Sequence, residues 1–177
     1  MTKSLDLGCG RRPQNPFGAD ELYGVDVCEY PDLDVKSCDL VVEPIPFPEM
    51  TFDYVSAFDF IEHIPRVVYL PRRRAPFIEL MNEVYRVLKT GGHFLSFTPG
   101  YPAQEAFMDP THVNFITIDT FPRYFGKDRL AAMYGFTGYF EVLKNQWHDW
   151  TSPPRIAKPG VPNPGNTHIL TILRKVT

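Results

Sequence analysis

Two glycines and one carboxylate have the types and spacing of a nucleotide-binding site. Residues 4–7 predict a short strand, and Gly8 and Gly10 follow it directly, where they let the backbone approach a ligand closely. Asp26 stands 18 residues after Gly8, near the end of a second predicted strand over 23–27. A carboxylate in that place can accept hydrogen bonds from both hydroxyls of a ribose. Taken alone, the two glycines fit a tight strand-to-loop turn at least as well.

Further polar residues accompany the next two predicted strands. Asp39 and Leu40 lie on a third strand predicted over 35–42, and Asp59 directly follows a fourth over 52–58. In open parallel sheets, ligands bind at the carboxyl ends of the strands. The pattern therefore predicts that these side chains gather along one edge of a sheet.

Strands alternating with at least one clear helix must position these residues. Apolar residues recur at helical spacing over 76–89, Pro76 suits the first helical position, and Gly91 followed by Gly92 predicts the stop. Weaker patterns predict a strand over 93–98, a helix over 119–134, and late strands over 142–143 and 168–174. Such alternation is typical of an α/β layer fold with a mostly parallel sheet.

Taken together and in order, these motifs resemble the class I S-adenosylmethionine (SAM)-dependent methyltransferases, and most closely their type 11, small-molecule-type domains. The matching segments are Leu5-Asp6-Leu7-Gly8-Cys9-Gly10, Gly24-Val25-Asp26, Asp39-Leu40, Phe52-Asp53-Tyr54-Val55 with Ile61-Glu62-His63-Ile64, and the segment from Glu83 to Gly92. The similarity runs from residue 4 to about 98 and more loosely through 109–115. It implies one domain over 1–177 with a Rossmann-like three-layer fold. That fold has a mostly parallel seven-stranded sheet whose last strand is antiparallel, here with some helices reduced or missing.

The resemblance also implies a cofactor, SAM, with S-adenosylhomocysteine as its product. The residues that it assigns to cofactor binding are Asp6, Gly8 and Gly10 around the methionine, Asp26 at the ribose with Val27 beside it, Asp39 and Leu40 at the adenine, and Phe58 lining the methionine end by its backbone. Two of these have simpler explanations. Asp39 can cap a turn, and Phe58 can belong to the core.

Catalysis by in-line methyl displacement needs mainly the alignment of two reactants, and a general base helps when the acceptor is a hydroxyl or an ammonium group. Candidate bases are His112, Asp109 and Asp59. The resemblance implies acceptor-side residues in the loop after the fifth strand, where His112 and Asp109 lie. A loop histidine bonded to backbone is the alternative for His112. His63 is expected to tie loops together.

Two other functions stay open at this point. A non-catalytic SAM-binding module would keep the Asp26 pocket without an open acceptor side. An NAD(P)-binding oxidoreductase would need a third glycine where Pro13 stands, to allow close packing around a pyrophosphate. The sequence favours a methyltransferase acting on an unidentified acceptor, most simply a small molecule.

Composition limits the partners. The formal net charge of −3 provides no basic field for a polyanion, although Arg72, Arg73 and Arg74 keep a nucleic-acid contact open. No apolar signal or membrane segment is seen, so we expect a cytoplasmic protein. Three cysteines without Cys-x-x-Cys spacing predict reduced thiols, and no metal site is expected.

Proline is abundant, with 18 among 177 residues, about twice the usual share. Much of it falls at 44–48 and 153–164, which predicts loops where the family has helices or a lid. A parallel sheet normally needs both faces covered. We therefore expect these loops, and a second copy of the chain in a homodimer, to cover a thinly protected face.

Overall fold

The structure, a computed structural model, describes residues 1–69, 71–149 and 166–177. The proline-rich segment predicted over 153–164 lies outside the described residues. Within those that are described, no helix is both long and apolar enough to cross a membrane. The three cysteines, Cys9, Cys28 and Cys38, are free thiols.

Seven strands form one sheet in the order β3-β2-β1-β4-β5-β7-β6. The first five are mutually parallel, and β7 is antiparallel to both of its neighbours. This arrangement confirms the predicted mostly parallel sheet with an antiparallel last strand. The strands are β1 (Lys3–Leu7), β2 (Glu21–Asp26), β3 (Val35–Ser37), β4 (Phe52–Phe58), β5 (Leu88–Pro99), β6 (Phe140–His148) and β7 (His168–Lys175).

The longest helix, α1 (Pro76–Val87), begins at the predicted proline and packs its apolar side into the main core. It ends earlier than predicted. Leu88 pairs with Phe52 in the sheet, so the chain passes directly from helix to strand, and Gly91 adopts its positive φ of 79° within β5. The helix therefore ends where pairing with β4 begins. The helical spacing of apolar residues within 76–89 cannot predict this end.

Two other predicted elements are shorter than expected. The third strand ends at Ser37, because the carbonyl of Asp39 accepts from the N–H groups of Val42 and Glu43 in a turn. The weak helix over 119–134 is divided into α3 (Thr120–Tyr124) and a 3₁₀ segment (Leu130–Tyr134). The remaining helix, α2 (Glu105–Met108), is a single turn.

A loop replaces the first helix of the predicted fold. Residues 11–20 form turns and bends with no helical turn. Phe17 from this loop stacks on Tyr54 of β4 with ring centroids 4.5 Å apart, and it packs against a second apolar cluster around Leu95 and Phe97. This confirms the prediction that helices are reduced. The Phe17 side chain, which comes from a loop, covers part of that sheet face.

Candidate active site

A cleft of about 430 Å³ runs along the carboxyl ends of β1, β2 and β4. This is the edge where the sequence predicts a ligand, and the volume suits a small-molecule site. The cleft is lined by Gly8, Asp26, Val27, Cys38, Asp39, Leu40, Val41, Asp59, Phe60, His63 and Ile64. Five of the predicted cofactor residues are therefore gathered in one cavity: Gly8, Asp26, Val27, Asp39 and Leu40.

The glycine turn needs its glycines for two different reasons. Gly8 and Gly10 have φ angles of 63° and 55°, in the left-handed region that disfavours side chains. At Gly8 a Cβ atom would also lie only 2.2 Å from Cδ2 of Phe60, whereas at Gly10 nothing lies within 4 Å. Gly8 is thus constrained by packing as well as by conformation. Gly10 is outside the set of residues that line the cleft.

Asp26 joins the glycine turn to the loop after β2. Its Oδ2 accepts from the N–H of Gly10 at 2.8 Å, and its Oδ1 accepts from the N–H of Cys28 at 2.9 Å. A carboxylate oxygen has two lone pairs, so each oxygen keeps one acceptor site for a ligand. The side chain is held in place by backbone donors and lines the cleft.

Asp39 and Leu40 form a different part of the same cleft. Oδ1 of Asp39 accepts from the N–H of Val41 at 3.0 Å, as the turn-capping alternative predicted, while the residue still lines the cavity. Leu40 is 7% exposed and belongs to the core. Asp39 and Leu40 together place a carboxylate beside an apolar side chain. An aromatic base with an amino group could donate a hydrogen bond to the first and pack against the second.

Asp6 lies outside the lining of the cleft. It is 1% exposed, its Oδ1 accepts from Oγ of Ser56 at 2.7 Å, and its Oδ2 accepts from the N–H of Gln14 at 2.7 Å. Burial raises the pKa of Asp6 to about 6, although both hydrogen bonds oppose the shift. Its contacts connect β1 to β4 and to the loop that follows the glycine turn.

We expect the Asp6→Asn variant to change how stability depends on pH. Because the folded pKa of about 6 exceeds the ordinary 3.8, the folded state holds the proton longer, and the stability of the wild type falls as pH rises between these values. Because asparagine does not titrate, the variant does not lose stability in this way. The free energy of unfolding of the variant relative to wild type should therefore rise by about 2–3 kcal/mol from pH 4 to pH 7. Urea titrations across this range measure it.

Asp34→Asn is the matched control, since Asp34 is an exposed carboxyl of the same residue type. Its difference from wild type should stay within about 0.5 kcal/mol over the same pH range. A pH-independent difference for Asp6→Asn would show that the buried carboxyl has no raised pKa.

The end of β4 places two neighbouring residues differently. The Phe58 ring lies 6.1 Å from that of Phe97 and packs against the second apolar cluster, so its side chain serves the core, as one of the two sequence interpretations proposed. Asp59 has a φ of 45°, a strained conformation for a non-glycine residue. It lines the cleft, as does the following residue, Phe60.

A second cavity of about 480 Å³ adjoins the cleft. It is lined by Asp59, Glu62, His63, Pro99, Glu105, Met108, Asp109, Pro110, His112 and His168. Asp59 and His63 line both cavities. The three candidate bases, Asp59, Asp109 and His112, therefore all line this cavity.

Asp59 forms a hydrogen bond with a histidine that also lines the second cavity. Its Oδ1 lies 3.0 Å from Nε2 of His168, the first residue of β7. The imidazole is 9% exposed, stacks on Phe97 with centroids 4.7 Å apart, and contacts Oγ1 of Thr167 through Nδ1 at 2.9 Å. Both ring nitrogens are thus engaged, so the imidazole positions the Asp59 carboxylate, which is the proton acceptor of the pair.

Glu62, His63 and His112 form a cluster that lines the same cavity. Glu62 is 1% exposed, and its Oε1 lies 4.0 Å from Nε2 of His112. The rings of His63 and His112 meet edge to face with centroids 4.8 Å apart. Burial raises the pKa of Glu62 to about 7. Nδ1 of His63 contacts Oγ1 of Thr111 at 3.0 Å, so His63 does tie two loops together.

The loop that carries His112 is anchored by backbone bonds to the 3₁₀ segment Ile61–His63. The N–H groups of Val113 and Asn114 both donate to the carbonyl of Glu62 at 2.9 Å, and Nδ2 of Asn114 donates to the carbonyl of Ile61 at 3.1 Å. Nδ1 of His112 contacts the carbonyl of Ala106 at 3.3 Å, which is the backbone contact that the alternative interpretation expected.

The arginine cluster does not act as one unit. Arg74 forms an ion pair with Glu79 in the first turn of α1, and this carboxylate offsets the unfavourable cation at a helix N-terminus. Arg72 and Arg73 are exposed. Arg73 lines a separate cavity, away from both cavities described above.

Three residues of the site carry weak sequence signals. Glu62 lies inside the matched segment Ile61-Glu62-His63-Ile64, but its residue type there assigned it no role. Phe60 is an apolar residue in an apolar segment, and only its contact with Gly8 reveals its position. His168 lies 109 residues from its partner Asp59, and no local pattern connects two such distant positions.

The strand order and the acid beside a glycine turn define a class I methyltransferase fold. The chain belongs to the methyltransferase domain family, whose model matches residues 5–96. No curated protein shows significant sequence similarity to the chain.

Solved structures show the same fold at low sequence identity. A SAM-dependent methyltransferase from Archaeoglobus fulgidus superimposes with a TM-score of 0.63 at 19% identity, covering 98% of this chain and 86% of that chain. One from Methanosarcina mazei gives a TM-score of 0.60 at 14% identity, covering 98% and 92%. The 1,6-didemethyltoxoflavin-N1-methyltransferase from Burkholderia thailandensis, solved with its substrate and S-adenosylhomocysteine, gives 0.56 at 14%, covering 99% and 71%.

Proposed function

We propose that this protein is an enzyme that transfers the methyl group of SAM to a small-molecule acceptor. The observation that carries this proposal is the pair of adjoining cavities that share Asp59 and His63. One cavity offers nucleotide-binding chemistry, and the other offers proton-accepting side chains. Two reactants bound in such neighbouring spaces are held for a displacement reaction.

The side chains of the cleft fit SAM. Asp26 keeps one acceptor site on each oxygen after bonding Gly10 and Cys28, as needed for the two hydroxyls of a ribose. Asp39 and Leu40 would hold the adenine, and Gly8 would let the chain approach the methionine. Asp6 holds the loop that follows the glycine turn, by accepting from the N–H of Gln14.

The acidity of the second cavity favours a small, cationic or donor-rich acceptor. Four carboxyl residues line it: Asp59, Glu62, Glu105 and Asp109. Negative charge at close range repels phosphates, so a polynucleotide is a poor match. The toxoflavin methyltransferase is one structural relative whose acceptor is a small molecule.

The residues around the acceptor would position it and take up its proton. SAM, when bound, supplies a methyl group on a positively charged sulfur. We assign the general base to Asp59, which lines both cavities and whose Oδ1 is held by Nε2 of His168 at 3.0 Å. Asp109 and His112 would orient the acceptor from the opposite loop.

Two rival functions lose support from specific observations. A non-catalytic SAM-binding module needs no cavity beside the cleft, yet one of about 480 Å³ is present. An NAD(P) site places its pyrophosphate at a helix N-terminus, and residues 11–20, which follow the glycine turn, form no helix. The homodimer and the cytoplasmic location stay predictions.

Methyl transfer tests the proposal. Isotope-labelled SAM is incubated with the protein and with separate pools of cationic metabolites, anionic metabolites, protein and nucleic acid. We expect label to appear in a small-molecule pool, and His168→Gln to lower its rate at least tenfold while SAM affinity stays unchanged. Label incorporated only into nucleic acid or protein would contradict the acceptor class, and no transfer to any pool would favour a binding module.

A further inference from the structure

Three ligand-type side chains meet on one wall of the acceptor cavity. Glu62, His63 and His112 each place one potential ligand atom within 4.8 Å of the others. All three line the cavity. The set contains two imidazoles and one carboxylate, which is the donor combination of catalytic zinc sites and of facial-triad iron sites.

Both histidines are held with one nitrogen free to bind. Nδ1 of His112 faces the carbonyl of Ala106 at 3.3 Å. A carbonyl only accepts, so Nδ1 carries the proton and Nε2 keeps its lone pair. Oγ1 of Thr111 donates to Oδ1 of Asp109 at 2.6 Å and therefore accepts from Nδ1 of His63. Metal-binding histidines are typically fixed by such outer contacts.

The Glu62 carboxylate likewise has one oxygen that is hydrogen-bonded and one that is available to a ligand. Oε2 of Glu62 accepts from Oγ1 of Thr98 at 2.7 Å. Oε1 is buried and has no hydrogen-bond partner in the described part of the chain, and it faces Nε2 of His112 at 4.0 Å. An unpaired buried carboxylate oxygen is costly, and a bound cation would satisfy it.

We propose that Glu62, His63 and His112 bind one divalent transition-metal ion in the acceptor cavity. Metal–ligand distances of about 2.0–2.2 Å would draw the three atoms to about 3–3.5 Å from one another. Imidazole with a carboxylate suits Zn²⁺, Mn²⁺ or Fe²⁺ better than Ca²⁺. This site goes beyond the sequence analysis, which predicted no metal.

The remaining coordination positions would face the acceptor. Three protein ligands leave at least one position open on a tetrahedral ion, and all three ligands line the cavity in which we place the acceptor. This part rests on the proposed function. It assigns the acceptor a hydroxyl oxygen that binds the metal and is thereby oriented toward the cofactor cleft.

Direct metal binding tests the site without any methyl transfer. The untagged full-length protein is stripped with a chelator, and Zn²⁺ is added in a calorimeter with no SAM present. We expect one Zn²⁺ per chain, with a Kd in the micromolar range or tighter. Glu62→Gln and His112→Gln should each weaken binding at least 30-fold, and Co²⁺ should give visible absorption bands that these variants lose.

His93→Gln is the matched control, because His93 lies on β5 beside Tyr54, away from the cavity lining. It should leave Zn²⁺ binding unchanged. Absence of stoichiometric binding, or equal binding by wild type and both ligand variants, would overturn the metal site. If Glu62→Gln fails to fold, His112→Gln decides alone. SAM titration is a separate measurement, so metal binding without SAM binding would overturn the proposed function and leave this site standing.

Discussion

Replacing Asp26 with alanine is expected to weaken SAM binding about 100-fold. The carboxylate would accept both ribose hydroxyls in charge-assisted bonds, and their loss together costs about 3 kcal/mol. The variant also releases the N–H groups of Gly10 and Cys28, which loosens the glycine turn. Calorimetric titration with SAM measures the change.

Two matched variants separate the causes. Asp26→Asn keeps one acceptor oxygen and should lose about tenfold. Asp32→Ala removes an exposed carboxylate from the loop that follows β2, where it pairs with Arg11. This variant should change SAM affinity less than twofold. An Asp26→Ala variant that is folded and binds SAM within threefold of wild type would show that the ribose lies elsewhere.

Gly8→Ala is expected to lower stability by about 2–3 kcal/mol and SAM affinity at least tenfold. The positive φ of 63° costs a non-glycine residue about 1–2 kcal/mol. The added Cβ would lie 2.2 Å from Cδ2 of Phe60, which must move within the cleft. Urea unfolding and SAM titration measure the two effects.

Gly10→Ala isolates the conformational part of this cost, because a Cβ there meets nothing within 4 Å. It should destabilise by only about 1–2 kcal/mol. In a Phe60→Ala background, Gly8→Ala should cost no more than Gly10→Ala does in the wild type, since the ring that clashes is gone. Equal losses for both glycine variants in the wild type, or an undiminished cost of Gly8→Ala in the Phe60→Ala background, would contradict the close packing of Phe60 on Gly8.

The sequence predicts those elements whose formation depends mainly on their own residues. The sheet edge, α1 and the residues of the glycine turn follow from apolar spacing, a proline and glycines at definite positions. The end of α1 does not, because Leu88 is held by Phe52 across the sheet. Pro13 and Pro16 disfavour a helix after the glycine turn, but the stacking of Phe17 on Tyr54 in its place depends on tertiary contact.

The candidate site divides in the same way. Asp26, Asp39 and Asp59 were found because each follows a strand that ends at the cleft. His168 was missed, since its partner Asp59 is 109 residues away and only strand β7 brings them together. Glu62 stood inside a recognised segment, but its buried, unpaired oxygen is a property of packing.

Calorimetric titration of the wild-type protein with SAM, S-adenosylhomocysteine and NAD tests the central claim most directly. A SAM-binding cleft at the carboxyl ends of β1 and β2 predicts one site per chain for each sulfur nucleotide, with Kd values in the micromolar range, and no heat of binding from NAD. Failure of both sulfur nucleotides to bind at hundreds of micromolar, or saturable binding of NAD in their place, would contradict it.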